Sequence, residues 1–221
     1  MEHAYDTVIF DLDGTLLDTL EDLTNAVNHA MRDSGFPEHT LEEIRYFVGD
    51  GVGMLIRRAL PSEADGDEEA FQEALQAFKR YYAAHNNDRT QPYPGVPEML
   101  DQLKAAGIRL AIVSNKNDPN VQALNAGYFS RWVDLAVGER EGVRRKPYPD
   151  VVFRVMDAWS CDPARTLYVG DSDVDLQTAQ NAGIDCVAVA WGFRTEEELR
   201  RAGAGRIARK PRELARLVLG G

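Results

Sequence analysis

Two aspartates stand close together directly after a short apolar run near the start of the chain. The run Val8-Ile9-Phe10 predicts a buried strand, and Asp11 and Asp13 follow it. Because side chains alternate along a strand, both carboxylates point to the same side. Gly14 then lets the backbone turn closely around whatever they hold. A hard cation such as Mg²⁺, which takes oxygen ligands, would relieve the repulsion between them; a polar turn after a strand is the simpler alternative.

Two more polar clusters follow predicted strands or lie in stiff loops further along the chain. Ser114-Asn115-Lys116 comes after an apolar run, and its hydroxyl and amide groups can donate hydrogen bonds to phosphate oxygens. Ser and Asn are also common loop residues, so a structural role is the favoured interpretation of this cluster taken alone. Lys146 is followed by Pro147 and Pro149, which stiffen the loop. Its ammonium is a compact charge suited to an anionic group.

A last acidic cluster, Gly170-Asp171-Ser172-Asp173-Val174-Asp175, follows the apolar run Leu167-Tyr168-Val169. Asp171 is predicted at the end of that strand, and Asp175, four residues later, is predicted to share a helix face with it. Acids near a helix N-terminus are favoured by its dipole, so capping is the simpler interpretation for Asp173. For Asp171 and Asp175 we favour metal ligation, or support of it.

The elements that must position these clusters are predicted from hydrophobic periodicity. From Val96 onward, short apolar runs alternate with amphipathic segments, which predicts an α/β fold with a parallel, Rossmann-like sheet covered by helices on both faces. Between Leu17 and Asn86 the pattern predicts helices and no strand. We therefore expect an α/β core of residues 1–16 and 91–221, with an inserted all-α subdomain of residues 17–90.

Composition limits the classes of function. Apolar residues make up 44% of the chain and charged residues 28%, as in ordinary globular proteins. The net charge of −11 argues against sequence-independent nucleic-acid binding, although a local basic pocket could still hold a small anion. Neither a signal peptide nor a membrane-spanning run is evident. Cys161 and Cys186 show no metal or disulfide spacing. We expect a cytoplasmic protein without membrane partners; the oligomeric state stays open.

Taken together and in this order, the clusters resemble the motifs of the haloacid dehalogenase (HAD) superfamily, most of whose members are phosphatases. The resemblance covers essentially the whole chain, and the helical segment resembles the family's α-helical cap. The motifs that match are Asp11-Leu12-Asp13-Gly14-Thr15, Ser114, Lys146, and Gly170-Asp171 with Asp175. The layout is most similar to the phosphoglycolate phosphatase branch, through Val48-Gly49-Asp50-Gly51, Ser114-Asn115-Lys116 and Gly170-Asp171-Ser172.

The resemblance implies a mechanism and a role for each matching residue. Asp11 would attack phosphorus and form an aspartyl-phosphate, and Asp13 would protonate the leaving alkoxide and then activate water. Lys146 would bridge the phosphoryl group to Asp11. The implied Mg²⁺ ligands are Asp11, the Asp13 backbone carbonyl, Asp171 and, through water, Asp175. The implied substrate-binding residues are Gly14, Thr15, Ser114 and the Asn115 backbone.

The expected substrate is a small anionic phosphate ester, with 2-phosphoglycolate first. A β-phosphoglucomutase-like phosphotransferase, a pyrophosphatase and a nucleotidase are alternatives on the same residues. A non-catalytic binding module is disfavoured because all the catalytic groups are present. Asp13 also argues against dehalogenase chemistry, which has no alkoxide to protonate. Arg45, Arg57 and Arg58 are candidates to bind a substrate carboxylate, although solvated helix arginines are an equally good interpretation.

Overall fold

The computed structural model describes residues 4–220 of the 221-residue chain and contains two compact units. The first comprises Met1–Leu17 with Pro92–Gly221, and the second comprises Asp18–Gln91. The strands are β1 (Thr7–Phe10), β2 (Leu17–Asp18), β3 (Gln91–Pro92), β4 (Arg109–Asn117), β5 (Leu135–Glu139), β6 (Thr166–Gly170), β7 (Asp185–Val189) and β8 (Ile207–Ala208). The helices are α1 (Leu20–Asp33), α2 (Leu41–Phe47), α3 (Gly51–Ala59), α4 (Glu68–His85), α5 (Val96–Ala105), α6 (Asp118–Leu124), α7 (Asp150–Trp159), α8 (Asp173–Ala182), α9 (Glu196–Arg201) and α10 (Pro211–Leu219).

The first unit is built on a six-stranded sheet with the order β5-β4-β1-β6-β7-β8. Every neighbouring pair in it is parallel, and β1 lies between β4 and β6, with Val8 opposite Leu110 on one side and Leu167 on the other. Because parallel strands carry their carboxyl ends to one edge, residues that follow β1, β4 and β6 lie close together there.

Alternating side chains of the central strands reach two separate hydrophobic clusters. Val8 and Phe10 pack with apolar residues of α5, α6 and α10, whereas Ile9 packs with apolar residues of α7 and α8. A strand that is buried on both faces must be apolar throughout, which explains the uninterrupted run Val8-Ile9-Phe10. The predicted α/β fold, a parallel Rossmann-like sheet with helices on both faces, is confirmed.

The second unit is helical and contains α1 to α4. Its buried side chains recur at helical spacing, for example Leu23, Val27 and Met31 along α1. The sequence Thr40-Leu41-Glu42-Glu43 is typical of a capping box, and one begins α2: Glu43 N donates to Thr40 Oγ1 at 3.2 Å, and Thr40 N donates to Glu43 Oε2 at 2.8 Å. That this unit serves as a cap stays a prediction.

One buried carboxylate in the helical unit holds the segment that ends it. Asp22, in the first turn of α1, is 1% exposed. Its carboxylate accepts hydrogen bonds from the backbone N–H groups of Arg89 at 3.0 Å and Thr90 at 2.8 Å, and from Thr90 Oγ1 at 2.8 Å. The charge of Asp22 is therefore compensated by fixed donors from a distant part of the sequence.

Several element boundaries differ from the predictions. The predicted absence of strands after Leu17 is wrong, because Leu17–Asp18 forms β2 and pairs with β3. Because Leu17 and Asp18 belong to β2, helix α1 begins only after them, at Leu20. Two-residue strands such as β2 and β8 are too short to show alternation in a sequence. The periodicity predicts a helix from about Met54, and α3 begins three residues earlier, at Gly51, because glycines obscure the periodicity there. Across residues 4–220, no helix is long and apolar enough to cross a membrane.

Candidate active site

Asp11 lies at the carboxyl end of the central strand. Its backbone N–H donates to Val169 O at 2.8 Å, which extends the pairing of β1 with β6 by one residue. The Asp11 side chain is buried, and its Oδ1 lies 2.9 Å from Lys146 Nζ. The sheet therefore fixes where the predicted nucleophile stands, and a cation faces one of its two oxygens.

Lys146 joins two of the acids and is itself held by a neighbouring loop. Besides Asp11, its Nζ donates to Asp175 Oδ1 at 2.7 Å, and its side chain is only 3% exposed. The Asn115 side chain forms two hydrogen bonds with the Lys146 backbone: Asn115 Nδ2 donates to Lys146 O at 3.1 Å, and Lys146 N donates to Asn115 Oδ1 at 2.9 Å. The Asn115 side chain thus positions Lys146. The part of Asn115 predicted to bind substrate was its backbone, which stays a prediction.

Asp175 is held at the start of α8 by three donors. Its Oδ2 accepts from Ser172 N at 3.1 Å and Ser172 Oγ at 2.7 Å, and Tyr168 OH donates to its Oδ1 at 3.2 Å. The predicted sharing of one helix face with Asp171 is wrong, because α8 begins only at Asp173. Asp171 instead precedes the helix, in the turn after β6. This turn brings the carboxylates of Asp171 and Asp175 close to each other.

Asp171 is surrounded by groups from both ends of the chain. Thr15 Oγ1 donates to its Oδ1 at 3.2 Å, and Phe193 N donates to its Oδ2 at 2.7 Å. Its carboxylate also lies against Gly14, which has a φ of +83°; a Cβ there would lie 2.4 Å from Asp171 Oδ2. Gly14 N itself donates to Leu17 O at 2.8 Å, within the turn. A substrate contact from Gly14 or Thr15 stays a prediction.

The segment 191–193, which follows β7, is a part of the site that the sequence analysis missed. Trp191 Nε1 donates to Thr15 O at 2.9 Å, and Phe193 N bonds Asp171. Between them, Gly192 approaches so closely that a Cβ on it would lie 2.1 Å from Gly14 O and 2.4 Å from Asp171 Cβ. The one signal available was its place after another strand of the parallel sheet, at the edge that carries the site.

Asp13 stands apart from these three acids and has a cation of its own. Its Oδ1 accepts from Lys116 Nζ at 2.8 Å, and both side chains are largely buried, with exposures of 14% and 5%. Lys116 N in turn donates to Ser114 Oγ at 3.2 Å. That acceptor role leaves the Ser114 hydroxyl proton available for a ligand oxygen. The two aspartates of the first motif therefore have different partners, Lys146 for Asp11 and Lys116 for Asp13.

The acidic cluster carries more negative charge than the nearby ammonium can balance. Carboxylate oxygens of Asp11, Asp171 and Asp175 lie within 4.8 Å of one another, and all three residues are buried. Burial, and then the neighbouring Asp175 carboxylate, raises the pKa of Asp171 to about 7. Burial raises the pKa of Asp11 well above its usual range, although Lys146 opposes this. A buried set of hard oxygen donors with excess negative charge fits a divalent cation.

The candidate arginines lie within the helical unit, where each is already paired. Arg45 donates to Glu42 at 2.6 Å, and Arg57 donates to Glu68 at 2.8 Å while stacking over the Phe71 ring. Arg58 pairs with Asp50 and donates to Phe47 O. These contacts fit the interpretation as helix-surface arginines, and a substrate contact from any of them stays a prediction.

Comparisons with known proteins agree with this geometry. A phosphoglycolate phosphatase of Pseudomonas savastanoi pv. phaseolicola is 37% identical over 193 residues, which cover 84% of this chain and 70% of that protein. The crystal structure of a candidate phosphoglycolate phosphatase from Lactobacillus delbrueckii subsp. bulgaricus is 36% identical, covers 99% of this chain and 100% of that one, and has a TM-score of 0.93. The structure of CbbY from Rhodobacter sphaeroides in complex with phosphate is 26% identical, covers 95% and 96% of the two chains, and has a TM-score of 0.72. The family model for haloacid dehalogenase-like hydrolases matches residues 8–189, and the chain belongs to that family.

Proposed function

We propose that this protein hydrolyses a small phosphate monoester, with Mg²⁺ and through an aspartyl-phosphate on Asp11. The family and the relatives support a phosphatase in general. The observation that carries the more detailed proposal is the placement of Asp11. Its carboxylate is buried at the carboxyl end of the central strand, with Oδ1 on Lys146 Nζ and two further carboxylates alongside.

The proposed reaction uses the groups around Asp11. An Asp11 oxygen attacks phosphorus, and the bond between phosphorus and the ester oxygen breaks. Asp13 gives a proton to the departing oxygen and then takes one from the water that attacks the phosphoryl-aspartate. That second attack releases inorganic phosphate and restores the Asp11 carboxylate. Lys146, the Ser114 hydroxyl and the Asn115 backbone hold the phosphoryl oxygens, so that catalysis is mainly positioning and charge neutralisation.

The cation would be held by Asp11, the Asp13 backbone carbonyl and Asp171, with Asp175 in support. When bound, Mg²⁺ supplies positive charge next to the phosphoryl oxygens, which reduces repulsion between the substrate and the attacking carboxylate. Asp175 is already committed to Lys146, Ser172 and Tyr168. This commitment supports a contribution from Asp175 through water rather than by direct ligation.

The substrate we favour is 2-phosphoglycolate, because the relatives above carry that activity in their names. We also propose that the helical unit of residues 18–91 acts as the cap that covers the site during turnover. A cytoplasmic location stays a prediction.

The test is phosphate release from a panel of esters, with Mg²⁺ and after chelation. The panel contains 2-phosphoglycolate, glucose phosphates, nucleotides and pyrophosphate. We expect the highest kcat/KM for 2-phosphoglycolate and loss of activity on chelation. Conversion of glucose phosphates without release of phosphate would instead identify a phosphotransferase.

The nucleophile is tested by Asp11→Asn. This variant should fold, with a circular-dichroism spectrum like that of the wild type and a cooperative melting transition, and it should release no phosphate from any ester. Appreciable turnover by the purified variant would show that another group attacks phosphorus.

A further inference from the structure

Lys116 is a buried cation of the site that the phosphoryl-transfer steps do not use. Its ammonium donates to Asp13 Oδ1 at 2.8 Å, and its side chain is 5% exposed. Lys146, not Lys116, faces Asp11, on which the phosphoryl group would reside. Burying an ammonium is costly even when it is paired, so its place in the site calls for a functional reason.

The backbone that carries Lys116 is firmly held. Lys116 N donates to Ser114 Oγ at 3.2 Å. Its carbonyl oxygen lies against Gly138 in β5, where a Cβ would lie only 2.6 Å from Lys116 O. The ammonium is therefore aimed from a fixed base toward Asp13.

The position of Asp13 indicates what Lys116 can reach. As the acid in the proposed reaction, Asp13 must hydrogen-bond the ester oxygen that leaves. The group attached to that oxygen then lies beside Asp13, whose carboxylate is contacted by the Lys116 ammonium. A carboxylate one carbon beyond the ester oxygen would lie within reach of the ammonium, which is the arrangement in 2-phosphoglycolate.

We propose that Lys116 determines substrate specificity by binding an anionic group carried one carbon beyond the ester oxygen. This inference rests on the proposed phosphatase function and makes its substrate class more specific. The preferred substrates are small phosphate monoesters with a second anion next to the ester, and a residue of the α/β unit recognises that anion. A charge-assisted pair with a carboxylate is the interaction that gives such discrimination.

The experiment compares two substrates that differ only at the recognised group. The substrates are 2-phosphoglycolate and 2-hydroxyethyl phosphate, in which a hydroxymethyl group replaces the carboxylate. The variant is Lys116→Met, with Lys116→Gln as a second, more polar replacement. The matched control is Lys104→Met, which removes the same charge from an exposed pair with Asp134 at the opposite edge of the sheet.

We expect Lys116→Met to raise KM for 2-phosphoglycolate by about tenfold or more, which corresponds to one charge-assisted contact, and to change KM for 2-hydroxyethyl phosphate by less than about threefold. The control should leave both unchanged. Equal losses on both substrates would overturn the proposal, because they would show that Lys116 only positions Asp13.

A binding measurement makes the result independent of turnover. In an Asp11→Asn background, calorimetric titration should show that adding Lys116→Met weakens binding of 2-phosphoglycolate and leaves that of 2-hydroxyethyl phosphate nearly unchanged. A wild-type enzyme that hydrolyses both esters equally would overturn this inference while leaving the phosphatase function intact. A wild-type enzyme that hydrolyses neither would refute the proposed function itself.

Discussion

At the scale of single residues, the two aspartates of the first motif differ mainly in their partners. Asp11 shares a buried space with two other carboxylates and Lys146, whereas Asp13 faces Lys116. The first environment suits a group that attacks phosphorus next to a cation. The second leaves the Asp13 carboxylate outside the acidic cluster, and its proposed role in proton transfer stays a prediction.

Replacing Asp13 should slow only those reactions that need an acid. We predict that Asp13→Asn lowers kcat for 2-phosphoglycolate by about 10²–10⁴, the usual contribution of a positioned proton donor. For p-nitrophenyl phosphate, whose leaving group departs without protonation, the loss in the phosphorylation step should be much smaller. Single-turnover measurements with both esters separate that step from hydrolysis of the intermediate. Equal losses in this step would contradict the assignment of Asp13 as the acid.

At the scale of elements, the segment after β7 packs directly against the candidate site. Trp191, Gly192 and Phe193 together contact the first-motif turn and the Asp171 carboxylate. Phe193 contributes a backbone N–H donor, and Gly192 can approach closely because it has no side chain. Both are properties of the backbone and do not depend on side-chain chemistry.

This close approach makes Gly192 sensitive to the smallest substitution. We predict that Gly192→Ala weakens Mg²⁺ binding by more than about tenfold, because its Cβ would collide with Gly14 O and displace Asp171. Metal affinity can be measured by calorimetry without substrate. The control is Gly205→Ala, since a Cβ on Gly205 meets nothing within 4 Å. Wild-type affinity in Gly192→Ala would refute the proposed positioning role.

The helical unit offers a test of stability at the same scale. We predict that Asp22→Ala lowers the free energy of unfolding by about 3 kcal/mol, because the part-buried donor of Arg89 and the buried donors of Thr90 lose their acceptor. Glu21→Ala, next to it and exposed, should change it by less than about 0.5 kcal/mol. Denaturant unfolding measures both, and similar values for the two variants would contradict the anchoring role of Asp22.

At the scale of the whole molecule, the acidic cluster links metal, pH and folding. Asp171 has a pKa of about 7 in the folded protein against an ordinary value of 3.8. Between these values the unfolded chain releases this proton and the folded chain keeps it. As the pH rises from 3.8 to about 7, Asp171 therefore lowers the stability of the metal-free protein. Above about pH 7 its full penalty is present. A bound cation would remove the penalty by stabilising the ionised carboxylate.

We predict that Asp171→Asn raises the melting temperature of the metal-free protein at about pH 8, by about 2–4 °C for each kcal/mol of penalty removed, and raises it less at about pH 5. The variant should also lose the increase in melting temperature that Mg²⁺ gives the wild type. Calorimetry at both pH values with and without Mg²⁺ provides the measurement. A gain that is larger at the lower pH would contradict the assigned sign.

Local patterns were enough to predict much of this protein. Apolar runs and amphipathic periodicity predicted the parallel sheet and the helices that cover it, because burial on one or both faces imposes those patterns directly. Strand ends followed by acids predicted that Asp11 and Asp171 would lie at one edge of the sheet, whereas the place of Lys146 beside Asp11 was implied by the family resemblance. These inferences need only the neighbours in sequence and the rule that parallel strands align their carboxyl ends.

The partners of these residues were decided only by the tertiary structure. Lys116 and Asp13 form a hydrogen bond although they are 103 residues apart in the sequence. Thr15 and Asp171 do so over 156 residues, and Asn115 and Lys146 over 31 residues. No periodicity encodes such pairs, because they depend on strand order and on which loops meet beyond the strand ends. The close fit of Gly192 against Gly14 has the same origin. The sequence by itself therefore indicated the main acids and cations of the candidate site, whereas the packing of distant segments determined which cation contacts which carboxylate and brought segment 191–193 against them.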